Sequence, residues 1–381
     1  MKKKNYIWHC LIGLMLMMPS SAMGQIDTTN VWFSNGPTGL LIVPAVVINP
    51  TFPDTIYAGS LGGTVSRSVN RGSSWTTVGA SIADSILALA IARSNTAVIY
   101  AGTLSRGVYK STDHGVTWAA TGLTGVQVSA IAIDPNDMNK VYAGTRDSLV
   151  KSSNGGTSWA KANLDSVNVR AIAMDPLMPD TVYVGTTGRG LYRSFNDGTT
   201  WASVNTGLPT NNVSEINVHP TQSDTLYLAT TSGVFKSTNG GNSWQSANNG
   251  ITALDMISLQ IAPSETNVIY AGSSTGQVFK STDHAGIWSD ISRNLNYGIP
   301  VSAIAIAPDS SNVVYVGTGP LTNLGVQRLK QTGLGGITTI TTGLAPEMVA
   351  TGDLNRDGVT DLVVANGGEN DLSVFLTSSL G

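Results

Sequence analysis

The tryptophans of this chain recur at a nearly constant interval. After Trp8 they follow one another at steps of 41 to 44 residues, at Trp32, Trp75, Trp118, Trp159, Trp201, Trp244 and Trp288. A second series runs in phase at steps of 41 to 45 residues, at Tyr57, Tyr100, Tyr142, Tyr183, Tyr227, Tyr270 and Tyr315. A period of this length is typical of repeated supersecondary units, which bury their apolar faces against neighbouring units. The sequence therefore predicts a stack or a ring of seven similar units.

Each unit reads as four short β-strands. In the third unit these are residues 128–133, 141–144, 149–152 and 157–159, separated by turns rich in Gly, Asn and Pro. Four strands in about 43 residues is the length of one propeller blade. The first strand of each unit is an almost continuous apolar run, as expected for a strand covered on both faces. The sequence predicts an all-β, seven-bladed β-propeller.

The two ends of the repeat region complement each other. First strands are predicted to begin near Leu41, Ile86, Val128, Asn168, Val213, Met256 and Val301. The seventh unit lacks its tryptophan, whereas residues 31–36, which include Trp32, resemble the fourth strand of the other units. We therefore expect the N-terminal strand to complete the last blade, which would close the ring without an open edge strand.

An eight-residue motif joins the third and fourth strands. It reads Ser-x-Asp/Asn-x-Gly-x-Thr/Ser-Trp at residues 68–75, 111–118, 152–159, 194–201 and 237–244, and the copy at 281–288 has Ala285 and Ile287 at two motif positions. In such a turn Asp or Asn accepts local amide hydrogen bonds, Gly adopts a conformation closed to other residues, and Trp packs against apolar surroundings.

This motif resembles the Asp-box of bacterial neuraminidase repeats, over roughly residues 30–333. The Asp-box is shared by sialidases, the sortilin ectodomain, xyloglucanases and the photosystem II assembly-factor family. The resemblance implies a propeller in which the boxes are structural turns remote from any active centre. Because one fold serves many functions, it does not choose among them.

The C-terminal segment follows a different pattern, Asp-x-Asn-x-Asp-Gly-x-x-Asp, running into an apolar strand. Alternating oxygen-bearing side chains around a glycine bend suit a hard cation such as Ca²⁺. An EF-hand is excluded because Val364 stands at its twelfth position. The segment resembles one FG-GAP/VCBS repeat, which implies calcium ligands at Asp353, Asn355, Asp357, the Val359 carbonyl and Asp361. A solvated acidic turn is the alternative, and a single repeat is expected to be an incomplete domain.

Composition limits the setting and the partners. A basic start, an apolar run and small residues predict a signal peptide over residues 1–24, with cleavage after Gly24 or Ala22. The single cysteine, Cys10, lies inside it, so the mature chain is expected to have no thiol or disulfide. With 24 acidic and 21 basic residues the chain has no basic field for nucleic acid, and no second segment suits a membrane span. We expect an exported monomer.

Charged residues that depart from the repeat are the candidates for ligand binding. They fall in the connections between strands two and three and between strands four and one, which share one face of a propeller. The arginines suit anions, and the aspartates suit sugar hydroxyls or neutralise the arginines: Arg106, Arg146, Arg170, Arg189, Asp84, Asp147, Asp165 and Asp255. Ordinary solvated loop charges are the alternative interpretation.

No catalytic residue is assigned. His114 and His284 occupy turn tips, and His219 shares a slot before proline with Asp134 and Asp175, so all five are interpreted as turn residues. The resemblance to sialidases and xyloglucanases implies an arginine triad with a tyrosine nucleophile, or two facing carboxylates, and no spacing pairs the loop aspartates in this way.

The sequence thus favours a secreted or cell-surface noncatalytic binding or structural module, with polysaccharide or protein as partner. The alternatives are a glycoside hydrolase and a periplasmic assembly factor. The predicted organisation is a signal peptide at 1–24, a propeller at 25–333 and an FG-GAP/VCBS repeat at 334–381, with no cofactor in the propeller.

Overall fold

A computed structural model of the chain describes residues 31–34, 42–293, 295, 298–318, 326–330, 346–352, 361–366 and 371–375. Every regular element in these ranges is a β-strand. Seven four-stranded antiparallel sheets form the blades of a propeller, so the predicted fold class is confirmed. The compact unit that contains them spans Asn30–Thr332.

The blades follow one another along the chain, each with four strands from the inside outward. Blade 1 has β2 (Ala45–Ile48), β3 (Ile56–Gly59), β4 (Val65–Ser68) and β5 (Thr76–Thr77). Blade 2 has β6 (Ile86–Ile91), β7 (Ile99–Thr103), β8 (Val108–Ser111) and β9 (Ala119–Ala120). Blade 3 has β10 (Val128–Ile133), β11 (Val141–Thr145), β12 (Ser148–Ser152) and β13 (Ala160–Asp165). Blade 4 has β14 (Asn168–Met174), β15 (Val182–Thr187), β16 (Leu191–Ser194) and β17 (Ala202–Ser203).

The remaining blades complete the ring. Blade 5 has β18 (Val213–His219), β19 (Gln222–Thr230), β20 (Gly233–Ser237) and β21 (Gln245–Ser246). Blade 6 has β22 (Met256–Ile261), β23 (Ile269–Ser273), β24 (Val278–Ser281) and β25 (Ser289–Asp290). Blade 7 has β26 (Val301–Ile306), β27 (Val314–Thr318), β28 (Val326–Lys330) and, as its outer strand, β1 (Val31–Ser34). Neighbouring first strands pack against one another around the whole circle, including β26 against β2.

The N-terminal strand closes the ring as predicted. Strand β1 pairs antiparallel with β28, with Trp32 opposite Leu329. The seam between blades 7 and 1 is joined a second time, because the Tyr315 hydroxyl donates to the Arg71 carbonyl at 2.9 Å. Arg71 also forms an ion pair with Asp309 across the same seam, with its Nη2 atom 2.5 Å from Oδ2. Ring closure therefore uses a strand, a hydrogen bond and an ion pair.

Two boundaries differ from the sequence-based expectation. The first strand of blade 1 begins at Ala45 rather than near Leu41, because Pro44 has no amide hydrogen to pair with β3. The fourth strands of the blades with Asp-boxes begin after the motif tryptophan, for example Thr76 after Trp75. Trp244 and Trp288 are buried (4% and 3% exposed), whereas the motif tryptophans of blades 1 to 4 are half-buried.

Close packing between blades depends on one glycine in six of the seven second strands. A Cβ atom built on Gly185 would lie 2.7 Å from Val213 Cγ1 of the next blade, so only glycine fits there. Blade 5 has Ala229 at this position, and the residue it meets in blade 6 is Met256 rather than the usual β-branched side chain. Because methionine is unbranched at Cβ, the pair fits where alanine and valine would collide.

Beyond the propeller, a second compact unit contains a three-stranded antiparallel sheet. Its strands are β29 (Pro346–Gly352), β30 (Asp361–Asn366) and β31 (Asp371–Phe375), in the order β29-β30-β31. Within the described ranges, no helix is long and apolar enough to cross a membrane.

Candidate functional site

The propeller has two different faces. The box face contains the Asp-box turns and the connections between first and second strands. The loop face contains the connections between second and third strands and those that lead from one blade to the next. On the loop face both kinds of connection meet, since Ser148, which begins β12, is the register partner of Asp165, which ends β13.

The Asp-box turns satisfy their own polar groups. In the copy at 111–118, the Ser111 hydroxyl donates to Asp113 Oδ1 at 2.8 Å, and the Gly115 amide donates to the Ser111 oxygen at 2.8 Å. The hydroxyl and amide of Thr117 also donate to the Asp113 carboxylate, and these bonds lower the pKa of Asp113 to about 2. Gly115 has a φ of +85°, which explains the glycine of the motif. These aspartates and asparagines are therefore engaged in the turn.

The box turns also connect the blades. The hydroxyls of five of the seven buried second-strand tyrosines donate to the box turn of the next blade, as when Tyr57 donates to the His114 carbonyl at 3.2 Å. A third-strand cation lies over the tyrosine ring and reaches the same turn. Lys110, for example, lies 5.3 Å from the Tyr100 ring centroid and donates to the Gly155 carbonyl at 2.9 Å. Each blade has one basic residue at this third-strand position, opposite the second-strand tyrosine.

The clamps and ion pairs divide the basic residues of the propeller into two groups, those with a structural contact and those without an ion-pair partner. The basic residues that contact a neighbouring blade or a carboxylate are Arg67, Arg71, Lys110, Lys140, Lys151, Lys161, Arg193, Lys236 and Lys280. Arg328 lies over the Tyr315 ring of its own blade. In the described part of the propeller, no side-chain ion pair involves the exposed residues Arg93, Arg106, Arg146, Arg170, Arg189 and Arg293. All four arginines proposed from the sequence belong to this second group.

Three of these arginines lie at equivalent places on the loop face. Arg106 follows β7, Arg146 follows β11 and Arg189 follows β15, each in the connection to the third strand of its blade. All three side chains are exposed. Blades 2, 3 and 4 are consecutive, so the loop face presents one guanidinium group per blade along an arc.

Asp84 has a structural role that the sequence did not reveal. Its Oδ2 atom accepts the amides of Ser105 at 2.6 Å and Arg106 at 2.8 Å, and its Oδ1 atom accepts the Ser85 amide at 2.9 Å. Although burial acts to raise the pKa of Asp84, the hydrogen bonds from Ser105 and Arg106 prevail and lower it. Asp84 therefore holds the loop that presents Arg106, and its carboxylate is already occupied.

The other three aspartates are exposed on the loop face. Asp147 is adjacent to Arg146, and its carbonyl accepts the Val167 amide at 3.2 Å. Asp165 pairs with Lys161 at 2.9 Å. Asp255 precedes β22, three blades away, and its carbonyl accepts the Ser274 amide at 2.9 Å. The four candidate aspartates therefore lie in different connections, and Asp84 and Asp165 already have partners.

Arg170 lies apart from the other arginines, in the central channel. The channel has a volume of about 250 Å³ and is lined by the first strands of all seven blades. Arg170 is the extra residue of a β-bulge between Val169 and Ala171 in β14. The first strands of blades 2, 3, 5, 6 and 7 have a β-bulge at the equivalent position. The bulges mark the end of the channel that opens on the loop face.

Glu215 is a channel residue that the sequence-based reasoning missed. It is half-buried in β18, and burial raises its pKa to about 7, although the hydrogen bond from the Ile216 amide and the charge of Arg170 act in the opposite direction. In the other blades the equivalent position pairs with the second-strand glycine and holds Ala45, Ala88, Ala130, Ala171, Ser258 or Ala303. An internal alignment of the seven first strands contains this signal, since Glu215 is the only charged residue at that position.

The polar character continues deeper into the channel in the same sector. Two residues further along the first strand, blades 5 and 6 have Asn217 and Gln260 where blades 2, 3, 4 and 7 have alanine. Asn217 is engaged, because its Nδ2 donates to the Leu259 carbonyl at 2.9 Å. Gln260 makes only a long contact of 3.5 Å to the Ile261 carbonyl. The charged and amide-bearing residues that line the described channel, Arg170, Glu215 and Gln260, therefore all come from blades 4 to 6.

The histidines behave as turn residues. His219 is buried, and its Nδ1 accepts the Thr221 amide at 3.3 Å, as Asp134 Oδ1 accepts the Asn136 amide at 2.7 Å. His114 and His284 are exposed in box turns. In the described ranges no group of three or more His, Cys, Asp or Glu is arranged to hold a metal ion. Four of the proposed calcium ligands, Asp353, Asn355, Asp357 and Val359, lie outside the described residues, and the fifth, Asp361, begins β30.

The geometry defines a class of protein, a seven-bladed β-propeller with Asp-box turns. The sortilin (neurotensin receptor 3) family profile matches residues 147–234, and the FG-GAP repeat profile matches residues 348–377. No curated protein matches the sequence significantly. The two profile matches agree with the resemblances seen in the box motif and in the C-terminal segment.

Solved structures resemble the fold at low sequence identity. The GH74 xyloglucanase from Xanthomonas campestris has a TM-score of 0.65 at 17% identity, covering 92% of this chain and 62% of the xyloglucanase chain. YCF48 from Cyanidioschyzon merolae has a TM-score of 0.60 at 12% identity, covering 78% of this chain and 98% of its own. YCF48 bound to D1 peptide has a TM-score of 0.62 at 12% identity, covering 81% of this chain and 97% of the YCF48 chain. These similarities establish the fold and leave the ligand open.

Proposed function

We propose that the chain is an exported, noncatalytic binding module that captures a carboxylate-bearing partner at the cell surface. The loop face of blades 2 to 4 binds this partner, which is an acidic polysaccharide or an acidic protein segment. The observation that carries the proposal is the arc formed by Arg106, Arg146 and Arg189, three exposed guanidinium groups without an ion-pair partner in the described fold. Guanidinium groups bind carboxylates through two parallel hydrogen bonds.

The carboxylates favour binding over glycoside hydrolysis. Hydrolysis requires two carboxyl groups that flank the scissile bond, one of them an acid with a raised pKa. Asp84 has a lowered pKa and is occupied by backbone amides. Glu215 has a raised pKa, but the other charged residue that lines its channel is Arg170. A catalytic pair is therefore not assembled at either place.

Neighbouring structures support both kinds of partner. A xyloglucanase acts on a polysaccharide, and YCF48 has been solved with a peptide. The decisive experiment exposes the purified chain, from residue 25 onward, to an array of acidic and neutral glycans and of acidic and neutral peptides, with retention and product release both recorded. We expect retention of acidic probes that weakens with salt, because exposed charges are screened within about 8 Å at 0.15 M ionic strength.

Matched variants make the experiment specific. Changing Arg106, Arg146 and Arg189 together to Glu should abolish retention, whereas Arg93→Glu, an equally exposed arginine of the box-face connection after β6, should leave it intact. Unchanged retention by the triple variant would refute the arginine arc. Product release would instead make the chain a hydrolase and overturn the noncatalytic part of the proposal.

We also propose that the C-terminal repeat binds Ca²⁺ through Asp353, Asn355, Asp357, the Val359 carbonyl and Asp361. Support comes from the oxygen-rich spacing and from the FG-GAP match over residues 348–377. Titration calorimetry should show one calcium site that Asp357→Asn removes. An unchanged heat of calcium binding in the Asp357→Asn variant would refute this site.

A further inference from the structure

Two opposite charges line the propeller channel without pairing with each other. Arg170 in blade 4 and Glu215 in the neighbouring blade 5 both face the cavity. They interact electrostatically, since Arg170 acts to lower the pKa of Glu215. No ion pair joins them in the described propeller, and the Glu215 carboxyl group accepts a hydrogen bond from the Ile216 backbone amide.

The surrounding walls leave room for a small molecule. Alanine occupies the position of Glu215 in five of the other blades, so the channel is wide at this level. Its volume of about 250 Å³ corresponds to roughly eight water molecules at ~30 Å³ each. Gln260 of blade 6 adds an amide to the same wall, whereas the hydroxyl of the neighbouring lining residue Ser258 donates to the Val301 carbonyl at 2.7 Å.

We propose that this end of the channel binds a small zwitterion, with the ligand's carboxylate on Arg170 and its ammonium group on Glu215. Amino acids and ω-amino acids are the chemical class that carries both groups on a short aliphatic frame. The guanidinium fork suits a carboxylate, and the glutamate, which already accepts the Ile216 backbone amide, gains a charged donor in the ammonium group. Gln260 offers an amide oxygen to a second ammonium hydrogen.

The proposal predicts a dependence on pH. The carboxyl group of Glu215 must be ionised to pair with an ammonium group, and its pKa is raised to about 7 by burial. Arg170 is the other charged group that lines the channel. Affinity should therefore be constant above the pKa and fall by about tenfold per pH unit below it, because protons compete with the ligand.

The test measures binding of 4-aminobutanoate and 6-aminohexanoate to the full chain by calorimetry at pH 8. Butylamine, butanoate, hexylamine and hexanoate are the matched probes with one charge each. We expect saturable binding of at least one zwitterion, at least tenfold tighter than its single-charge analogues. Glu215→Gln and Arg170→Gln should each weaken it at least tenfold, and Arg93→Gln should have no effect.

Three results would overturn the inference: no saturable binding of either zwitterion, equal binding of the amines alone, or unchanged affinity in Glu215→Gln. Thermal unfolding of each variant at pH 8 establishes that it is folded, and the Glu215 variant is expected to be at least as stable as the original chain. The site does not depend on the arginine arc. The triple variant of Arg106, Arg146 and Arg189 should keep zwitterion binding, which separates this inference from the proposed capture of an acidic partner.

Discussion

Replacing Glu215 by Gln should stabilise the propeller at high pH and leave its stability unchanged at low pH. Burial in the channel raises the pKa of this carboxyl group from 4.5 to about 7. Below pH 4.5 the group is protonated in the folded and in the unfolded chain, so it has no differential effect. As the pH rises to about 7, the unfolded chain loses the proton while the folded chain retains it. Stability therefore falls across this interval and stays lower above it.

The size of the effect follows from the shift. A difference between 4.5 and about 7 corresponds to about 3 kcal/mol of free energy of unfolding, at 1.36 kcal/mol per pKa unit. Glutamine keeps the shape of the side chain and carries no charge, so it removes this penalty. A propeller of roughly 300 residues unfolds with an entropy of about 0.6 kcal/mol/K, so the variant's midpoint should rise by roughly 5 °C at pH 8.

The assay is thermal unfolding of the original chain and of Glu215→Gln, followed by circular dichroism between pH 4 and pH 8.5. The difference between their midpoints should be near zero at pH 4 and reach its full value at pH 8. Asp255→Asn, which removes one exposed carboxylate of the loop face, is the control for a simple change in net charge.

The reasoning would be refuted by a midpoint difference that does not change with pH. Such a result would mean that the channel solvates the carboxylate as well as bulk water does. A decrease in stability at pH 8 would be a stronger contradiction, because it would show that the ionised group has a favourable partner in the folded chain.

Three further experiments test the packing of the blades. Trp244→Ala should lower the free energy of unfolding by about 3–5 kcal/mol, measured by denaturant titration, because this tryptophan is buried. Met256→Val should cost about 1–3 kcal/mol by overpacking against Ala229, and Ala229→Gly in the same chain should recover most of it in a double-mutant cycle. Arg71→Ala and Asp309→Ala should each cost no more than about 1 kcal/mol, with a coupling energy that disappears at 1 M salt, because the pair is partly exposed.

The sequence predicted the fold because its two aromatic series report directly on the packing. The second-strand tyrosines are each at most 1% exposed, and they recur at the same blade position. The pairing of β1 with β28 was also predictable, since the seventh unit lacked the tryptophan that Trp32 supplies. The start of blade 1 was predicted too early because an apolar run does not reveal that Pro44 cannot join the ladder.

The loop-face site was predictable in part, since propeller connectivity places Arg106, Arg146 and Arg189 on one face whatever their contacts. The role of Asp84 was not predictable, because its hydrogen bonds to residues 105 and 106 depend on how two separate connections fold together.

Glu215 shows a different limit, because its strand reads as an ordinary alternation of polar and apolar residues. The position of Glu215 in the channel wall becomes evident only when the seven first strands are aligned and this position is recognised as lining the channel. There an alanine leaves space, and a glutamate places an incompletely solvated charge in it. The exchange of glycine for Ala229 opposite Glu215, and the presence of Met256 beyond it, show that blade 5 departs from the repeat in packing as well as in charge. Because a buried ionised carboxylate costs stability unless it is paired, the presence of Glu215 in the channel is better explained by a ligand that pairs with it than by the architecture that surrounds it.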